Sequence, residues 1–337
     1  MNRRDAVLAL LPPDADGVLL ESAGVVSWYL GGARVNVPLG GPSVVAVLVT
    51  RSGDEVRCPV MEAHRLRDEE GIADAVAVPW TQPVVPDAWR RDPRLLNESE
   101  LEEPLRSARA SLDEVEVSRY RALGLEVARA VTSVARTLGP AHSERDAAGL
   151  LAAQVLALGA EPVVLLVAGR SRVAHRHPLP TAAPLGDRAM LVVGARRYGL
   201  IVNLTRWVGA PDPRERALLD VEAAVLDATV PGASFGDVFA ALQQAYPAQG
   251  FAADEWRNHH QGGPTGYFGR DPKITPLTTG VVAERHAFAW NPSAPGLKAE
   301  DTVLATSGGI ALLTHDPDWP TVTVSGRPRP TTLRMEQ

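Results

Sequence analysis

The chain has 337 residues, of which 45% are hydrophobic and 22% charged, and its formal net charge is -6. This composition is typical of a globular protein and excludes a disordered chain, and the length predicts two domains at about 150 residues each. Because the basic residues form no sustained block, neither nucleic acid nor an anionic membrane is expected as a partner. No apolar run reaches the roughly 18 residues that would span a bilayer. We therefore expect no membrane insertion.

Cysteine content and the N-terminal residues bear on the compartment. The single cysteine, Cys58, cannot form a disulfide within the chain, and its surroundings predict a buried or half-buried strand residue. The first apolar run is broken by Pro12 and Pro13 before it could serve as a signal peptide. These features predict a cytoplasmic protein.

The N-terminal part of the chain is rich in short β-like runs. Residues 17–60 contain GVLLESAGVVSWYL and SVVAVLVT, which predict a small strand-rich domain. Residues 80–111 are dense in proline and charge, so we expect them to connect two domains. The predicted domains are an N-terminal domain with its linker, 1–110, and a catalytic-type domain, 111–337.

The second part of the chain alternates helices with strands. A long amphipathic helix is predicted over residues 113–138, a second helix is predicted to begin after Ser143 as N-cap, and a strand follows Pro162. The segment PGASFGDVFAALQQAYPAQGF then mirrors GPAHSERDAAGLLAAQVLALGA. Two similar helical units with intervening strands predict a pseudo-symmetric α/β domain.

Further strand runs complete the second domain. AMLVVGARRYGLIVNLTR predicts a hairpin joined through Arg196 and Arg197, and VVAERHAFAWNPS predicts another strand. DTVLATSGGIALLT predicts two strands with a turn at residues 307–309.

Five segments resemble, in their order and spacing, the pita-bread superfamily of creatinase, aminopeptidase P and methionine aminopeptidase. They are AHRHPLP, VVGARRYGLIVNLTRWV, HHQGGPTGYFGRDP, FAWNPS and LKAEDTVLATSGGIALLT. The resemblance covers about residues 112–320, and residues 1–90 resemble the smaller α/β domain that creatinase and aminopeptidase P add. It implies an α/β fold whose C-terminal domain is a pita-bread domain with pseudo-two-fold α-β repeats.

The resemblance also locates the positions at which the superfamily's peptidases bind two divalent metals. Their two aspartates, one histidine and two glutamates correspond to Val192, Asn203, Gly263, Asn291 and Glu300. Valine and glycine offer no side-chain ligand and asparagine offers one neutral oxygen, whereas a pair of hard cations needs bridging carboxylates. We therefore expect neither a metal nor another cofactor.

Creatinase is a metal-free member of the superfamily, and its histidines suggest where catalysis would occur here. Its acid/base histidine corresponds to His175, and His177 would share one face with it if the segment were a regular strand. A second creatinase histidine corresponds to His259 in one register and to Gly263 in another. With His260 adjacent, the resemblance implies catalytic roles for His175, His259 or His260, because a neutral imidazole can move a proton between water and a leaving nitrogen.

Other polar residues of the same segments are expected to hold the substrate. Arg270 either binds a substrate carboxylate or forms a structural ion pair with Asp271 or Glu300. Glu300 is a further predicted catalytic residue, which either orients a histidine or a water or simply accepts such an ion pair. The predicted substrate-binding residues are His177, Asn203, Tyr267, Arg270 and Asn291.

Three functions are compatible with the sequence. The first is a metal-independent, creatinase-like hydrolase that cleaves a carbon-nitrogen bond in a small amide, amidine or dipeptide. The second is an Xaa-Pro peptidase, which would need the absent metal ligands, and the third is a noncatalytic pita-bread binding protein. The resemblance further implies that the protein is a homodimer. Its expected binding partners are a small-molecule or short-peptide substrate.

Overall fold

Residues 2–335 are described by a computed structural model, in which the chain divides between Arg109 and Ala110 into two units. The first unit contains a five-stranded sheet in the order β4-β3-β2-β1-β5. Its strands are β1 (Gly17–Leu20), β2 (Ala46–Thr50), β3 (Gly53–Pro59), β4 (Val76–Val78) and β5 (Leu95–Asn97). The central pairs are antiparallel and the two edge pairs are parallel. Cys58 is buried in β3, as the sequence predicts.

Within residues 2–110 the structure describes five α-helices. They are α1 (Arg3–Ala9), α2 (Ala23–Tyr29), α3 (Ala63–Glu70), α4 (Asp87–Arg91) and α5 (Glu102–Ala110). The prediction of a plain connection over residues 80–111 is wrong, since this stretch holds α4, β5 and α5, and β5 pairs with β1. Parallel pairing joins residues far apart in sequence, so local composition gives no sign of it.

The second unit contains four long helices and most of the strands. Its helices are α6 (Glu114–Thr137), α7 (Glu144–Ala157), α8 (Glu215–Ala228) and α9 (Phe235–Ala248). The start of α6 is fixed by a capping box, in which the Asp113 side chain accepts from the Glu116 amide and the Glu116 side chain accepts from the Asp113 amide, both at 2.8 Å. A good N-cap stabilises a helix by about 1 kcal/mol.

The predicted internal repeat is confirmed by the ends of α7 and α9. Both helices have 14 residues, and both begin after a serine, Ser143 or Ser234, whose hydroxyl accepts from the amide of an aspartate three residues later. Each is followed by strands that form one of two antiparallel sheets. The second unit is therefore the pseudo-symmetric α/β domain that the sequence predicts.

The first of these sheets has the order β6-β7-β8, and the second has the order β14-β13-β10-β9. The strands of the two sheets are β6 (Glu161–Ala168), β7 (Arg188–Arg197), β8 (Leu200–Gly209), β9 (Gly262–Pro264), β10 (His286–Trp290), β13 (Asp301–Thr306) and β14 (Gly309–Leu312). Two short hairpins are formed by β11 (Ser293–Ala294) with β12 (Leu297–Lys298) and by β15 (Thr321–Val324) with β16 (Arg327–Pro330).

The hairpin of β7 and β8 turns two residues later than predicted. Its turn residues are Tyr198 and Gly199, with φ of 52° and 75°, instead of Arg196 and Arg197. Positive φ at both positions matches the two-residue turn that best fits the twist of a hairpin.

Hydrogen bonds between β8 and the start of β13 hold the two sheets together. The Thr205 amide donates to the Glu300 carbonyl at 3.0 Å, and the Asn203 amide donates to the Thr302 hydroxyl at 2.7 Å. This junction brings polar residues of both sheets to one place. Within residues 2–335, every helix is too short or too polar to cross a membrane.

Candidate active site

A cavity of about 290 Å³ lies at this junction in the second unit. One wall is apolar and is formed by Val164 and Leu166 of β6 and Val192 of β7. The opposite wall is polar and is formed by His177, Asn203, His260, Arg270, Lys273, Asn291, Lys298 and Glu300. Small-molecule sites combine an apolar lining with a few convergent polar groups, and their usual volumes begin at about 300 Å³. The cavity is therefore a candidate active site for a small ligand.

Glu300 is held by two positively charged side chains. Its Oε1 accepts from Arg270 Nη2 at 2.6 Å, and its Oε2 lies 2.8 Å from Lys298 Nζ and accepts from the Thr205 hydroxyl at 2.8 Å. Burial alone would raise the pKa of Glu300, but the Lys298 and Arg270 charges outweigh it and bring the pKa to about 2. Glu300 is therefore a carboxylate at neutral pH, and side-chain cations neutralise it.

Three histidines converge beside these charges. His259 Nε2 lies 3.0 Å from His177 Nε2, and His259 Nδ1 lies 3.2 Å from the Ser293 hydroxyl. The His260 ring is stacked obliquely on His259, with 4.4 Å between ring centroids, and its Nδ1 is buried with no hydrogen-bond partner among the described residues. His177 and His259 form a hydrogen-bonded chain from the exposed His177 to the buried Ser293, and the His260 ring packs beside both imidazoles.

An ion pair positions the loop that carries His177. Arg176 Nη2 lies 2.5 Å from Glu255 Oε1, and Glu255 belongs to the 3-10 turn that ends immediately before His259. The two segments that provide the histidines are thus joined one residue away from His177. Because both partners are mostly buried, the ion pair holds these segments more firmly than an exposed pair would.

Burial and neighbouring cations keep these histidines neutral. Burial, then the Lys298 charge and the other two histidines, lowers the pKa of His259 to about 2. Burial, then the charges of Arg270, Lys273 and Lys298, lowers the pKa of His260 to about 3. The pKa of His177 is also lowered, by burial and then by Lys298. All three imidazoles are therefore neutral at pH 7, and the low pKa values make His259 and His260 weak bases.

Buried neutral histidines should make the protein less stable in acid. The folded-state pKa is about 2 for His259 and about 4 for His286, which lies outside the pocket, both below the unfolded value of 6.5. Below pH 6.5 the unfolded chain therefore binds protons that the folded protein does not, so stability falls as pH falls toward the folded values. Between pH 7 and 5 we expect each such histidine to cost about 2 kcal/mol of unfolding free energy.

Denaturant unfolding at pH 7 and pH 5 measures this loss. His286→Asn keeps an acceptor for the Ala283 amide but does not titrate in this pH range. It should therefore reduce the loss of unfolding free energy between pH 7 and pH 5 by about 2 kcal/mol, which is the contribution expected of one histidine. An equal pH dependence in the wild type and this variant would contradict the expectation.

The five positions that correspond, by the resemblance described above, to metal ligands of pita-bread peptidases do not fit a pair of divalent cations. Asn203 and Asn291 carry neutral amides, whereas two divalent cations need carboxylates to offset their charge. Glu300, the one carboxylate at these positions, is already neutralised by Lys298 and Arg270. The site therefore has side-chain cations where a dinuclear centre would need anionic ligands.

Backbone packing closes the position of the missing histidine. A Cβ atom on Gly263 would lie 2.5 Å from the Pro272 carbonyl oxygen, and one on Gly262, with φ of 102°, would lie 2.2 Å from the Ala289 carbonyl oxygen. The two glycines therefore permit close packing of β9 against β10 and the following loop. This packing accounts for Gly262 and Gly263 without a bound ligand.

The three histidines offer a different arrangement of donors. Their ring nitrogens lie within 4.8 Å of one another, which is a spacing that could hold one metal ion. The cations of Lys298, Lys273 and Arg270 face the same space and would repel such an ion.

Most of the predicted site residues line this pocket. His177, His260, Asn203, Arg270, Asn291 and Glu300 form its wall, and His259 lies behind His177. His175 is exposed in a turn, where its amide donates to the Arg172 carbonyl, and it does not line the pocket. The extended segment expected for His175 and His177 is therefore a bend instead. Tyr267 also lies outside, and its hydroxyl donates to Glu116 of α6 at 2.7 Å.

Lys273 and Lys298 are pocket residues that the sequence analysis did not select. Lys298 could have been found, because Lys298 and Glu300 are separated by one residue and so point to the same side of an extended segment. Lys273 lies in a loop whose path the sequence does not indicate.

Comparisons with known proteins place this geometry in a family. Residues 118–308 match the model of metallopeptidase family M24. The prolidase from Pyrococcus horikoshii OT3 is 17% identical with a TM-score of 0.77, and the alignment covers 94% of this chain and 98% of that one. The X-Pro aminopeptidase from Thermotoga maritima MSB8 is 16% identical with a TM-score of 0.74, covering 99% and 100%.

The dipeptidase PepE from Mycobacterium ulcerans is similar to the same extent, with 18% identity, a TM-score of 0.76 and coverage of 99% and 98%. No curated protein sequence matches the chain. At these identities the similar structures establish the fold alone. The predicted pita-bread fold is confirmed.

Proposed function

The chain belongs to metallopeptidase family M24, and from that premise we propose that it hydrolyses a small amide or dipeptide-like substrate with imidazoles in place of metal ions. One observation carries the proposal. The carboxylate of Glu300 binds Lys298 and Arg270, while neutral histidines line the same cavity. The pocket thus retains groups that move protons although its metal positions have changed.

The mechanism begins with His177, which is the most accessible of the three imidazoles. Its free ring nitrogen accepts a proton from water as the water oxygen adds to the carbonyl carbon of the substrate. The carbon-nitrogen bond then breaks, and the same proton passes to the leaving nitrogen. Such general acid-base transfer typically contributes about 10²- to 10⁴-fold in rate.

His259 is a positioning residue in this scheme. Its Nε2 contacts His177, and its Nδ1 contacts the Ser293 hydroxyl, so the hydrogen bonds fix the tautomer and orientation of His177. The apolar wall of Val164, Leu166 and Val192 limits the water that enters the opposite side. A low-dielectric wall strengthens the hydrogen bonds made on the polar side.

The size of the pocket and the names of the similar structures favour a dipeptide-like amide as the substrate. The cavity of about 290 Å³ suits a small substrate. Similar structures carry the names prolidase, X-Pro aminopeptidase and dipeptidase, which favours a peptide-like substrate over a guanidino compound such as creatine. The homodimer and the cytoplasmic location stay predictions.

Treatment with a chelator tests the absence of a catalytic metal. Purified protein is assayed on a panel of Xaa-Pro dipeptides and small amides before and after EDTA and 1,10-phenanthroline, and its metal content is measured. We expect hydrolysis of at least one substrate at a rate that chelation leaves unchanged. Loss of activity on chelation, followed by recovery with Mn²⁺ or Zn²⁺, would show that a metal performs the reaction.

A noncatalytic binding protein is favoured by one observation. The pKa values of about 2 and 3 at His259 and His260 make these two imidazoles weak bases at neutral pH. Failure to hydrolyse any member of the panel, with retained binding of a dipeptide in calorimetry, would select this function.

A further inference from the structure

The distribution of lysine in the chain singles out this pocket. Only two of the 34 Lys and Arg residues are lysines, and both of them, Lys273 and Lys298, line the cavity. Lysine carries a compact charge with three N–H donors, whereas arginine spreads its charge over a planar fork. Both lysine ammonium groups of this protein therefore line the candidate active site.

The Lys298 ammonium has donors to spare. Its side chain is 5% exposed, and the described residues give it one charged partner, Glu300 Oε2 at 2.8 Å. One N–H directed at that oxygen leaves two others for a ligand. Both side chains line the pocket, and the contact with Glu300 holds the Lys298 ammonium group in the pocket wall.

Two further donors in the wall lack partners. Asn203 Nδ2 and Arg270 Nε are both buried with no hydrogen bond from the described residues, and the Asn203 residue is only 7% exposed. Leaving a buried donor unsatisfied is unfavourable, because its hydrogen bonds to water are lost and not replaced. A ligand that supplies an acceptor to these groups would recover that cost.

The charges of the pocket wall have a net positive sum. Arg270, Lys273 and Lys298 contribute three positive charges and Glu300 contributes one negative charge, which leaves +2. The wall contains no other ionised side chain at neutral pH, because its histidines are neutral. A pocket with this balance attracts an anion and repels a metal cation.

We infer that Lys298, with the Asn203 amide, forms an oxyanion site in this pocket. The inference rests on the proposed function and extends it by naming the group that stabilises negative charge. When water adds to the substrate carbonyl, the electron pair of the C=O double bond moves to oxygen while His177 takes the water proton. The resulting O⁻ accepts hydrogen bonds from Lys298 Nζ and Asn203 Nδ2, and it reforms the carbonyl as the C–N bond breaks.

Inorganic phosphate is the probe for this site, since it is a small tetrahedral anion. Titration calorimetry of the full chain at pH 7 and low ionic strength should show binding. Lys298→Met should weaken phosphate binding at least about tenfold, because a charged donor is lost. Glu300→Gln should strengthen it, because the competing negative charge is removed from Lys298.

Lys273→Met is the matched control. It removes the other lysine of the pocket, but Lys273 is exposed. Solvent and salt screen an exposed charge, so we expect phosphate binding to weaken less than about threefold. Circular dichroism and thermal unfolding confirm that each variant is folded, and the Glu300→Gln result alone tests the site if Lys298→Met does not fold.

Opposite shifts in Lys298→Met and Glu300→Gln would support the oxyanion site. Absence of phosphate binding, equal affinity in Lys298→Met, or weaker binding in Glu300→Gln would overturn it. Phosphate binding that depends on Lys298, in a protein that hydrolyses no amide, would refute the proposed function and leave the anion site standing. Amide hydrolysis with an unchanged kcat in Lys298→Met would refute the oxyanion role and leave the proposed function standing.

Discussion

Arg329→Met is expected to destabilise the protein by about 3–5 kcal/mol, because it leaves the buried Glu222 carboxylate without its cation and removes one of the two arginines that bind Asp301. Arg329 donates to both oxygens of Glu222 at 2.6 and 2.8 Å and to Asp301 at 2.8 Å. All three side chains are at most 2% exposed. Burial already raises the pKa of Glu222 despite the arginine, so its charged form depends on this contact.

The ion pairs of Arg329, Glu222 and Asp301 form a buried network that joins elements far apart in the sequence. Glu222 belongs to α8, Asp301 to β13 and Arg329 to β16, and Arg206 of β8 also donates to Asp301 at 2.8 Å. Removing one cation therefore loosens the contact between a helix and two strands next to the pocket. Urea denaturation at pH 7 measures the loss as a shift of the unfolding midpoint.

Arg327→Met provides the comparison for Arg329→Met. Arg327 lies two residues away on the same strand and pairs with Asp227, whose side chain is 50% exposed. An exposed ion pair contributes at most about 1 kcal/mol, so this variant should be much less affected. Equal destabilisation by the two substitutions would show that burial of the network is not the reason for its effect.

His177→Gln is expected to lower kcat by about 10²- to 10⁴-fold on any substrate that the chain hydrolyses, because it removes the proton acceptor. Glutamine keeps a polar side chain next to His259 but cannot take up a proton near neutral pH. The measurement is steady-state kinetics of the folded variant. The loss should fall on kcat more than on KM, since the proton moves only after the substrate is bound.

His175→Gln separates the two histidines of this segment. His175 is the acid/base residue by resemblance to creatinase, whereas His177 lines the pocket. From its exposed position, His175→Gln should change kcat less than about twofold, in line with other surface substitutions. A large loss in His175→Gln with a near-normal His177→Gln would restore the assignment by resemblance.

Local sequence features predicted the helices and strands of the second unit well. Ser143 is the N-cap that the sequence predicts, and the repeated segment forms α9 with the same type of cap at Ser234. Caps, apolar periodicity and turn residues act over a few residues, so one sequence contains them. The strand β5 was missed because its pairing with β1 joins residues about eighty positions apart.

The site was predicted less completely than the fold. The structure places His177, His260 and Arg270 at one pocket, because the segment with His177 follows β6 while His260 and Arg270 lie on either side of β9. Lys298 was overlooked, although its separation from Glu300 by one residue would have placed both side chains on the same side of the segment. Tyr267 points to α6 because a buried hydroxyl needs an acceptor, and Glu116 provides one there.

The tight packing around Gly263 also limits how this pocket could evolve. A histidine at residue 263 would place its Cβ atom against the Pro272 carbonyl oxygen, so the loop after β9 would have to move before the new side chain could be accommodated. A single substitution at this position is therefore expected to disrupt packing first, and an imidazole there would need a compensating change in the backbone around Pro272.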